Sequence, residues 1–194
     1  HILGLWLNLP PILQYYSYAL QNWKRKDPEG PIVVENLESI VNFADLPDEP
    51  GFILPHVEIN AKAAPAIRSL LPLLEAAAKS EIDLAEAFLW EIGYAVQAMT
   101  NTLAKIRKYC DPAVYYKEVR PFIQKFTGVV YRGVKSYKGE PQNFNGESGA
   151  QDSNLKALDS ALGVSYNATG NEELTRFLAF LGEAEEYMPV GHRR

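Results

Sequence analysis

The feature that most constrains the fold is a long run, residues 80–109, in which apolar side chains recur at alternating steps of three and four. The apolar positions are Ile82, Ala85, Leu89, Ile92, Val96, Met99, Leu103 and Ile106. This spacing lines one helix face and predicts a long helix packed on the core, with Met99 as a core residue. Ser80 is the predicted N-cap, and Glu81 and Asp83 place negative charge at the positive end of the helix dipole.

Helical patterns also dominate the rest of the chain. The other predicted helices are residues 13–26, 33–43, 66–79 and 112–126, and a last helix that opens at Asn171 and turns Leu174, Phe177, Leu178 and Leu181 inward. The Pro- and Asp-containing sequence of residues 45–51 predicts a loop, and the Val-Val-Tyr sequence of residues 129–131 predicts a short strand. The glycine-rich residues 133–149 predict a long loop, which is often a functional feature. The chain is therefore predicted to be one all-α domain.

Composition excludes several classes of function. The 194 residues suit one domain with a sizeable core, and a formal net charge of −5 argues against a nucleic-acid partner. No apolar run approaches the roughly 20 residues that a membrane span needs, so no membrane partner is predicted. The single cysteine, Cys110, excludes an internal disulfide and favours a reducing compartment, which predicts a cytoplasmic location.

Histidine is scarce, and the chain contains just His1, His56 and His192. The common phosphate-binding, dinucleotide-binding, zinc-protease and serine-hydrolase motifs are absent. A zinc site would need all three histidines and Cys110 without any short spacing, which disfavours it. On spacing alone, His192 is a surface or capping residue beyond the last helix, and His56 is a hydrogen-bonded core residue in an apolar stretch. A mostly helical chain with histidines in these settings is also compatible with haem.

Short segments in a fixed order carry a further pattern over nearly the whole chain. They are LPPIL at 9–13, NWKRKDP at 22–28, GFIL at 51–54, APAI at 64–67, VRPF at 119–122, VYRGV at 130–134, FNGESGAQ at 144–151, YMP at 187–189 and HR at 192–193. Together these segments resemble the indoleamine 2,3-dioxygenase family of haem enzymes. The resemblance implies an all-helical haem-binding large domain.

The resemblance also implies a set of site residues. It makes His192 the proximal ligand to the iron of haem b. The distal-pocket positions fall on Tyr15, Tyr18, Ala19, Phe52, Ile53 and His56. Tyr115 and Arg120 fall on the positions that stack on the indole ring and pair with the substrate carboxylate. Ser148 and Gly149 match the loop that approaches a haem propionate and the substrate.

The position of His56 departs from the family pattern. Indoleamine dioxygenases commonly carry a small residue there, often serine, whereas the related tryptophan 2,3-dioxygenases use a distal histidine. His56 is therefore the predicted catalytic residue, with a pKa lowered by its apolar surroundings. Its neutral ring is predicted either to donate a hydrogen bond to oxygen or to accept one from the indole N–H. The family's longer loop between Phe122 and Gly128 is also missing.

The spacing of Tyr115 and Arg120 raises a geometric question. Residues five apart on an α-helix lie about 140° apart, so these two side chains do not share one face. Both can line one pocket if the pocket wraps around the helix or if the helix is irregular there. Tyr116 is the better neighbour of Arg120 on a regular helix, but the resemblance favours Tyr115.

The boundaries of the chain are expected to differ from those of the family. The family has a small N-terminal domain, and after the position of Arg194 it continues with another helix and a mobile loop rich in Gly and Thr. Residues 1–194 are therefore predicted to be one helical haem domain and a fragment of a longer protein.

The implied activity is insertion of both atoms of O₂ across the C2–C3 bond of the indole ring of L-tryptophan, giving N-formylkynurenine, as in tryptophan catabolism by the kynurenine pathway. The implied partners are L-tryptophan or a related indole, and O₂. An alternative on the same scaffold is a haem enzyme that rearranges a chlorinated tryptophan, like the second enzyme of pyrrolnitrin biosynthesis. The alternatives from other classes are a haem-binding sensor or carrier without turnover, and a helical interaction module without a cofactor.

Overall fold

The computed structural model describes residues 2–166 and 169–193. Its helices are α1 (Ile2–Leu7), α2 (Asp48–Ala78), α3 (Ile82–Ala104), α4 (Ile106–Tyr109), α5 (Pro112–Val114), α6 (Arg120–Ile123), α7 (Ser153–Ala161) and α8 (Glu172–Ala184). Its strands are β1 (Trp23–Arg25), β2 (Leu37–Ser39), β3 (Phe126–Val129) and β4 (Gln142–Phe144), in two antiparallel pairs. The predicted all-α class is confirmed. Within these described ranges, no helix is both long and apolar enough to cross a membrane.

Helix α2 is the element on which the other elements pack. It begins at Asp48, where Asp48, Glu49 and Pro50 form a first turn with negative charge at the positive helix end. The predicted loop at 45–51 is therefore wrong for its second half, because those same acidic and proline residues suit a helix start. The helix continues through Pro55, Pro65 and Pro72. Each proline removes a backbone hydrogen bond, so α2 depends on burial of its apolar residues more than on helix propensity.

The connection between α2 and α3 is a tight turn at Ser80. Ser80 has a φ of 58°, and the next backbone N–H, that of Glu81, donates to the carbonyl of Ala76 at 2.9 Å. Ser80 itself donates its backbone N–H to the carbonyl of Ala77 at 3.1 Å. This pair of bonds closes the C-terminus of α2. The predicted N-cap role of Ser80 is wrong, because its left-handed backbone ends α2 and Glu81 precedes α3 without a side-chain cap.

The predicted apolar stripe of α3 is buried over part of its width. Ile92 and Met99 are buried against α2 and α7, together with Ala95, and the core role predicted for Met99 is confirmed. The stripe residues Ile82, Leu89, Val96 and Leu103 are exposed instead. Because α2 covers one side of α3, the residues at the other edge of the stripe face outward. The predicted helix also breaks at Lys105, between α3 and α4.

The predicted helices at 13–26 and 33–43 are wrong. The first is replaced by a π-helical turn at Tyr16–Leu20 followed by β1, and the second by a 3₁₀ turn at Val34–Asn36 followed by β2. The two strands pair antiparallel with Trp23 opposite Ser39. Leu37 of β2 is buried against Leu54 and Val57 of α2. Long-range packing on α2 therefore overrides the local helical pattern.

The second sheet brings the predicted glycine-rich loop against α6. β3 and β4 pair with Phe126 opposite Phe144, so the predicted helix at 112–126 ends at Ile123 and the predicted strand at 129–131 begins earlier in the chain. Gly146 follows β4, and a Cβ atom at this residue would collide with the carbonyl oxygen of Ile123. The absence of a side chain therefore lets this loop lie directly on the end of α6.

The last predicted helix is confirmed as α8. Asn171 caps it, because its side-chain oxygen accepts a hydrogen bond from the backbone N–H of Leu174 at 3.0 Å. The residues expected to point inward are less enclosed than a core requires. Leu174, Leu178 and Leu181 are half-buried, and Phe177 is exposed over 47% of its surface. This apolar face borders a cavity rather than another helix.

We expect Gly51→Ala to lower the free energy of unfolding by about 1–3 kcal/mol, because a Cβ at this position of α2 would overlap the backbone carbonyl of Tyr109. The matched control is Gly93→Ala in α3, where a Cβ would meet no atom within 4 Å. The control is expected to gain about 0.5–1 kcal/mol from helix propensity. Denaturant unfolding measures both changes, and equal effects of the two substitutions would contradict the close contact.

Candidate functional site

Four rings from three parts of the chain form one aromatic cluster. Phe52 of α2 stacks on Tyr115 with ring centroids 4.2 Å apart, and it lies 4.6 Å from the ring of His56, one helical turn along α2. Tyr15 meets His56 edge-on at 5.9 Å. The fold therefore brings four of the predicted site residues into direct contact. Tyr18 and Ile53 are buried in the core cluster around these rings.

The ring of His56 is held by the backbone of its own helix. Nδ1 lies 2.7 Å from the carbonyl oxygen of Phe52, so Nδ1 carries the hydrogen and donates it. Burial lowers the pKa of His56, because the charged ring would lose its hydration. A neutral ring with its hydrogen on Nδ1 leaves Nε2 as an acceptor.

Buried polar bonds attach Tyr15 to the loop before α7. The backbone N–H of Tyr15 donates to Oε1 of Gln151 at 2.8 Å, and its hydroxyl donates to Oδ2 of Asp152 at 3.3 Å. Asn60 of α2 donates from Nδ2 to both the Tyr15 hydroxyl and Asp152, at 3.1 and 3.0 Å. Burial, then the Asp152 charge, raises the pKa of Tyr15 far above its usual range. The tyrosine therefore stays protonated and fixes the loop relative to α2.

Tyr115 and Arg120 lie at the two ends of a π-helical turn, Tyr115–Val119. The backbone N–H of Arg120 donates to the carbonyl of Tyr115, a bond that spans five residues instead of four. The two side chains nevertheless face different regions, because Tyr115 is buried against Phe52 while Arg120 is exposed. Burial raises the pKa of Tyr115, while the Arg120 charge acts in the opposite direction. The hydroxyl of Tyr115 is buried, and the Tyr18 hydroxyl is the side-chain group that interacts with it.

Arg120 opens onto a cavity of about 700 Å³, which we call the Arg120 cavity. Its walls come from the π-helical turn and α6, from the loop after β4 and from Phe180 of α8. The polar or charged side chains that line it are Tyr116, Arg120, Gln124, Lys125, Asn145, Glu147 and Ser148. Tyr116 therefore lines the open cavity, whereas Tyr115 faces the aromatic cluster. The π-helical turn connects these two regions.

Glu147 is the most unusual group in the Arg120 cavity. It exposes 4% of its surface, and burial raises its pKa to about 7, against the smaller opposing effect of the Arg120 charge. A buried carboxylate without compensating bonds is costly, so the proton is held more tightly than in water. Sequence reasoning missed this residue, because a glutamate in a glycine-rich loop is usually solvated. The signal that could have found it is its place between Gly146 and Ser148, in the loop expected to be functional.

A second cavity, of about 580 Å³, adjoins the first at Ser148 and Phe180, and we call it the α8 cavity. Gly149 and Leu155 line it opposite the apolar face of α8. Ser148 accepts a hydrogen bond from the backbone N–H of Ala150 at 3.2 Å, which fixes the loop between the two cavities. Ser148 and Gly149 are thus placed where one loop borders both cavities. The α8 cavity has the apolar face of α8 on one side and also the charged residues Asp152, Lys156, Asp159 and Glu185 in its lining.

His192 lies on a short 3₁₀ turn after α8, outside the aromatic cluster. It is exposed, and its Nδ1 lies 3.0 Å from Oγ of Ser153. Ser153 is the first residue of α7, the helix that lines the α8 cavity through Leu155. A ligating histidine typically donates its other ring N–H to an acceptor. A bond from Nδ1–H to Ser153 would leave Nε2 for iron, so the donor set fits a haem ligand.

Among residues 2–166 and 169–193, no three His, Cys, Asp or Glu side chains form a group that could hold a metal ion. His1 lies outside the described residues. A haem iron can be held by a single protein histidine, which is the arrangement that His192 offers.

Comparison with known proteins decides the family. The family model for indoleamine 2,3-dioxygenase matches residues 4–194. The chain belongs to the indoleamine 2,3-dioxygenase family. It is 33% identical to indoleamine 2,3-dioxygenase 2 of Mus musculus, over 96% of this chain and 45% of that protein. It is 28% identical to an indoleamine 2,3-dioxygenase of Saccharomyces cerevisiae, over 100% and 45% respectively.

The indoleamine 2,3-dioxygenase relatives differ in the substrates that their names give. A 6-hydroxytryptophan 2,3-dioxygenase of Fusarium equiseti is 27% identical over 97% of this chain. The chain spans about half the length of these relatives, 45% and 46% of the proteins from Mus musculus and Fusarium equiseti. Family membership therefore confirms the resemblance stated from the sequence, while substrate choice depends on the residues of the site.

We expect the stability of the protein to fall as pH rises through the folded-state pKa of Glu147. The folded protein holds this proton up to about pH 7, whereas an unfolded glutamate releases it near 4.5. The group therefore stabilises the fold fully below the unfolded pKa and loses that effect above the folded pKa. Between pH 5 and pH 8 the loss is on the order of 2–3 kcal/mol. Glu147→Gln should remove this pH-dependent part of the free energy of unfolding. Denaturant unfolding of both proteins at several pH values measures it. Parallel pH profiles would contradict it.

Proposed function

We propose that the protein containing this chain is a haem-dependent dioxygenase that adds both atoms of O₂ across the indole C2–C3 bond of L-tryptophan or a related indole. With tryptophan the product is N-formylkynurenine. The observation that carries this proposal is family membership over residues 4–194. The cavities and aromatic cluster described above support it, because they offer an apolar site beside a positive charge.

His192 is the proposed protein ligand to haem iron. Its Nδ1 contact with Ser153 supports a ring orientation in which Nε2 faces the metal. The apolar face of α8 and the loop at Ser148 and Gly149 offer walls for the porphyrin. When bound, the haem would supply the binding and activation of O₂. The protein residues would supply position, exclusion of water and hydrogen bonds.

Arg120 is proposed to bind the carboxylate of the amino-acid substrate. A guanidinium presents a planar fork of donors that matches a carboxylate. Arg120 is exposed to its cavity, and none of the described residues forms an ion pair with it. The indole ring would then reach toward the aromatic cluster, where Phe52 and Tyr115 offer ring faces.

His56 is proposed to accept the hydrogen bond of the indole N–H. The bond between Nδ1 and the Phe52 carbonyl uses the one hydrogen of the neutral ring. Nε2 then has a lone pair and no hydrogen, which favours an acceptor role over donation to oxygen. The lowered pKa keeps the ring neutral near pH 7. This arrangement would orient the indole ring without changing the charge of the site.

We expect His192→Ala in the whole protein to lose most of its haem, because the iron would lose its protein ligand. Haem content per protein and the visible spectrum measure the change. Ser153→Ala is the graded control, because loss of a group that orients the ligand typically weakens metal binding about 10- to 100-fold. Unchanged haem content and an unchanged histidine-ligated spectrum in His192→Ala would exclude His192 as the ligand. Product analysis with tryptophan and 7-chlorotryptophan, under O₂ and a reductant, separates dioxygenation from rearrangement.

We expect His56→Ala to retain haem and to lose discrimination between tryptophan and 1-methyltryptophan, which lacks the indole N–H. A single hydrogen bond corresponds to about a 2- to 12-fold preference in kcat/KM. His56→Gln is the matched control, because its amide oxygen can still accept a hydrogen bond and should keep part of the preference. If His56→Ala lowers both rates by the same factor, the acceptor role is excluded.

A further inference from the structure

Glu147 lines the Arg120 cavity, and its carboxyl group has no partner in the described part of the chain. It exposes 4% of its surface, and no hydrogen bond or ion pair within 4 Å engages its oxygens among residues 2–166 and 169–193. Its backbone is held firmly, because its N–H donates to the carbonyl of Ile123 at 3.1 Å. The side chain is therefore positioned by the loop and by the contact of Gly146 with α6, and none of the described residues bonds to its carboxyl group.

Glu147 and Arg120 line the same cavity but do not form an ion pair with each other. Both line the same cavity of about 700 Å³, and the Arg120 charge acts on the carboxyl group without forming an ion pair. A buried carboxylate beside an arginine normally gains most from direct pairing, because an uncompensated buried charge is costly. Two opposite charges that face one cavity at a distance leave room for a ligand that carries the complementary charges.

A free α-amino acid carries this pair of charges on one carbon atom. Its carboxylate matches the donor fork of an arginine, and its ammonium group supplies three donors that a glutamate can accept. Lys125, the other cationic side chain that lines the cavity, duplicates the charge of Arg120 and cannot accept such bonds. Ser148 and Asn145 add neutral polar groups to the same wall.

We propose that Glu147 binds the α-ammonium group of the amino-acid substrate across the cavity from Arg120, so that the site selects zwitterionic indoles over indole amines and indole acids. This inference rests on the proposed function for the identity of the indole ring. Glu147 is a substrate-binding and specificity-determining residue in this proposal. It adds a negative counterpart to the arginine, which by itself would favour any indole that carries a carboxylate.

Binding of an ammonium group by Glu147 should depend on pH. The other titratable or charged groups that face Glu147 are Arg120 and Lys125 at α6 and beyond it, Tyr116 and Tyr115 of the π-helical turn, and Tyr15 from the N-terminal segment; α8 presents Phe180. None of these groups is a carboxyl group, whereas Glu147 is one and has a pKa of about 7. Burial lowers the pKa of His56, so its ring is already neutral near pH 7 and does not cause a change in this pH range. The affinity for a zwitterion should therefore rise between pH 6.5 and pH 8, as Glu147 loses its proton.

The test measures equilibrium binding by calorimetry in the whole haem-loaded protein. L-tryptophan, tryptamine and indole-3-propionate are the probes, because the second lacks the carboxylate and the third lacks the ammonium. Glu147→Gln should weaken tryptophan and tryptamine about 10-fold or more at pH 8, by loss of a charged hydrogen bond, and leave indole-3-propionate unchanged or tighter. The rise in tryptophan affinity with pH should disappear. Glu147→Asp should keep that rise, because it keeps the carboxyl group.

The matched control is Glu118→Gln. Glu118 lies on the π-helical turn, 48% of its side chain is exposed, and it pairs with Lys117 at 3.3 Å, so this variant should bind all three probes as the parent does. Equal losses of tryptophan and indole-3-propionate in Glu147→Gln would overturn the proposal, since they would indicate a structural role. Formation of N-formylkynurenine by the parent tests the proposed function separately. A parent that makes no such product but shows the selective loss would keep the zwitterion site and reject the dioxygenase activity.

Discussion

The arrangement of the site depends on one buried hydrogen-bond network centred on Asn60 of α2. Its Nδ2 donates to the Tyr15 hydroxyl and to Asp152, and its Oδ1 accepts from Asn154 of α7 at 2.7 Å. These bonds join the N-terminal segment, α2 and the start of α7, which are far apart in sequence. Gln151 extends the network, because it accepts from the Tyr15 backbone and donates to the carbonyl of Gly146. The loop that borders both cavities is thereby fixed by polar bonds with defined directions.

Burial has opposite effects on the two titratable residues that matter most to the proposals. It lowers the pKa of His56 and raises the pKa of Glu147 to about 7, because in both cases the charged form is disfavoured. The ring of His56 becomes a neutral acceptor beside the aromatic cluster. The carboxyl group of Glu147, with its pKa at about 7, becomes a group whose charge changes near neutral pH. A single cause, loss of hydration, thus gives the site a neutral imidazole at His56 and a carboxyl group at Glu147 that titrates near neutral pH.

The π-helical turn at Tyr115–Val119 is a local irregularity between the aromatic cluster and the Arg120 cavity. Regular α-helical geometry would put Tyr115 and Arg120 on different faces. With the five-residue hydrogen bond between them, Tyr115 stacks on Phe52 in the core while Arg120 lines the cavity, so the two side chains still face different regions. Pro121 follows at once, in the first turn of α6. Such turns are commonly found at functional sites, where they change the direction of a side chain within an otherwise helical segment.

The local sequence pattern was sufficient to predict the features that depend only on residues close together in the chain. The sequence by itself predicted an all-α chain, the helix cap at Asn171, the core position of Met99 and the motif set that resembles the family. These follow from spacing and from cap chemistry within a few residues. The pattern of residues 13–26 and 33–43 was misleading, because β1 and β2 gain more by pairing and by packing Leu37 on α2 than by forming helices.

Tertiary structure decided what the charged and polar groups can do. Spacing could not show that Nδ1 of His56 is bonded to Phe52, that a π-helical turn separates Tyr115 from Arg120, or that Glu147 is buried. A carboxylate in a glycine-rich loop is solvated in most proteins, so the local sequence indicates a functional loop around Glu147 but does not indicate that the side chain is buried. The burial arises because Gly146 allows the loop to lie on the end of α6. Desolvation depends on every atom that surrounds a group, and those neighbours come from distant parts of the chain.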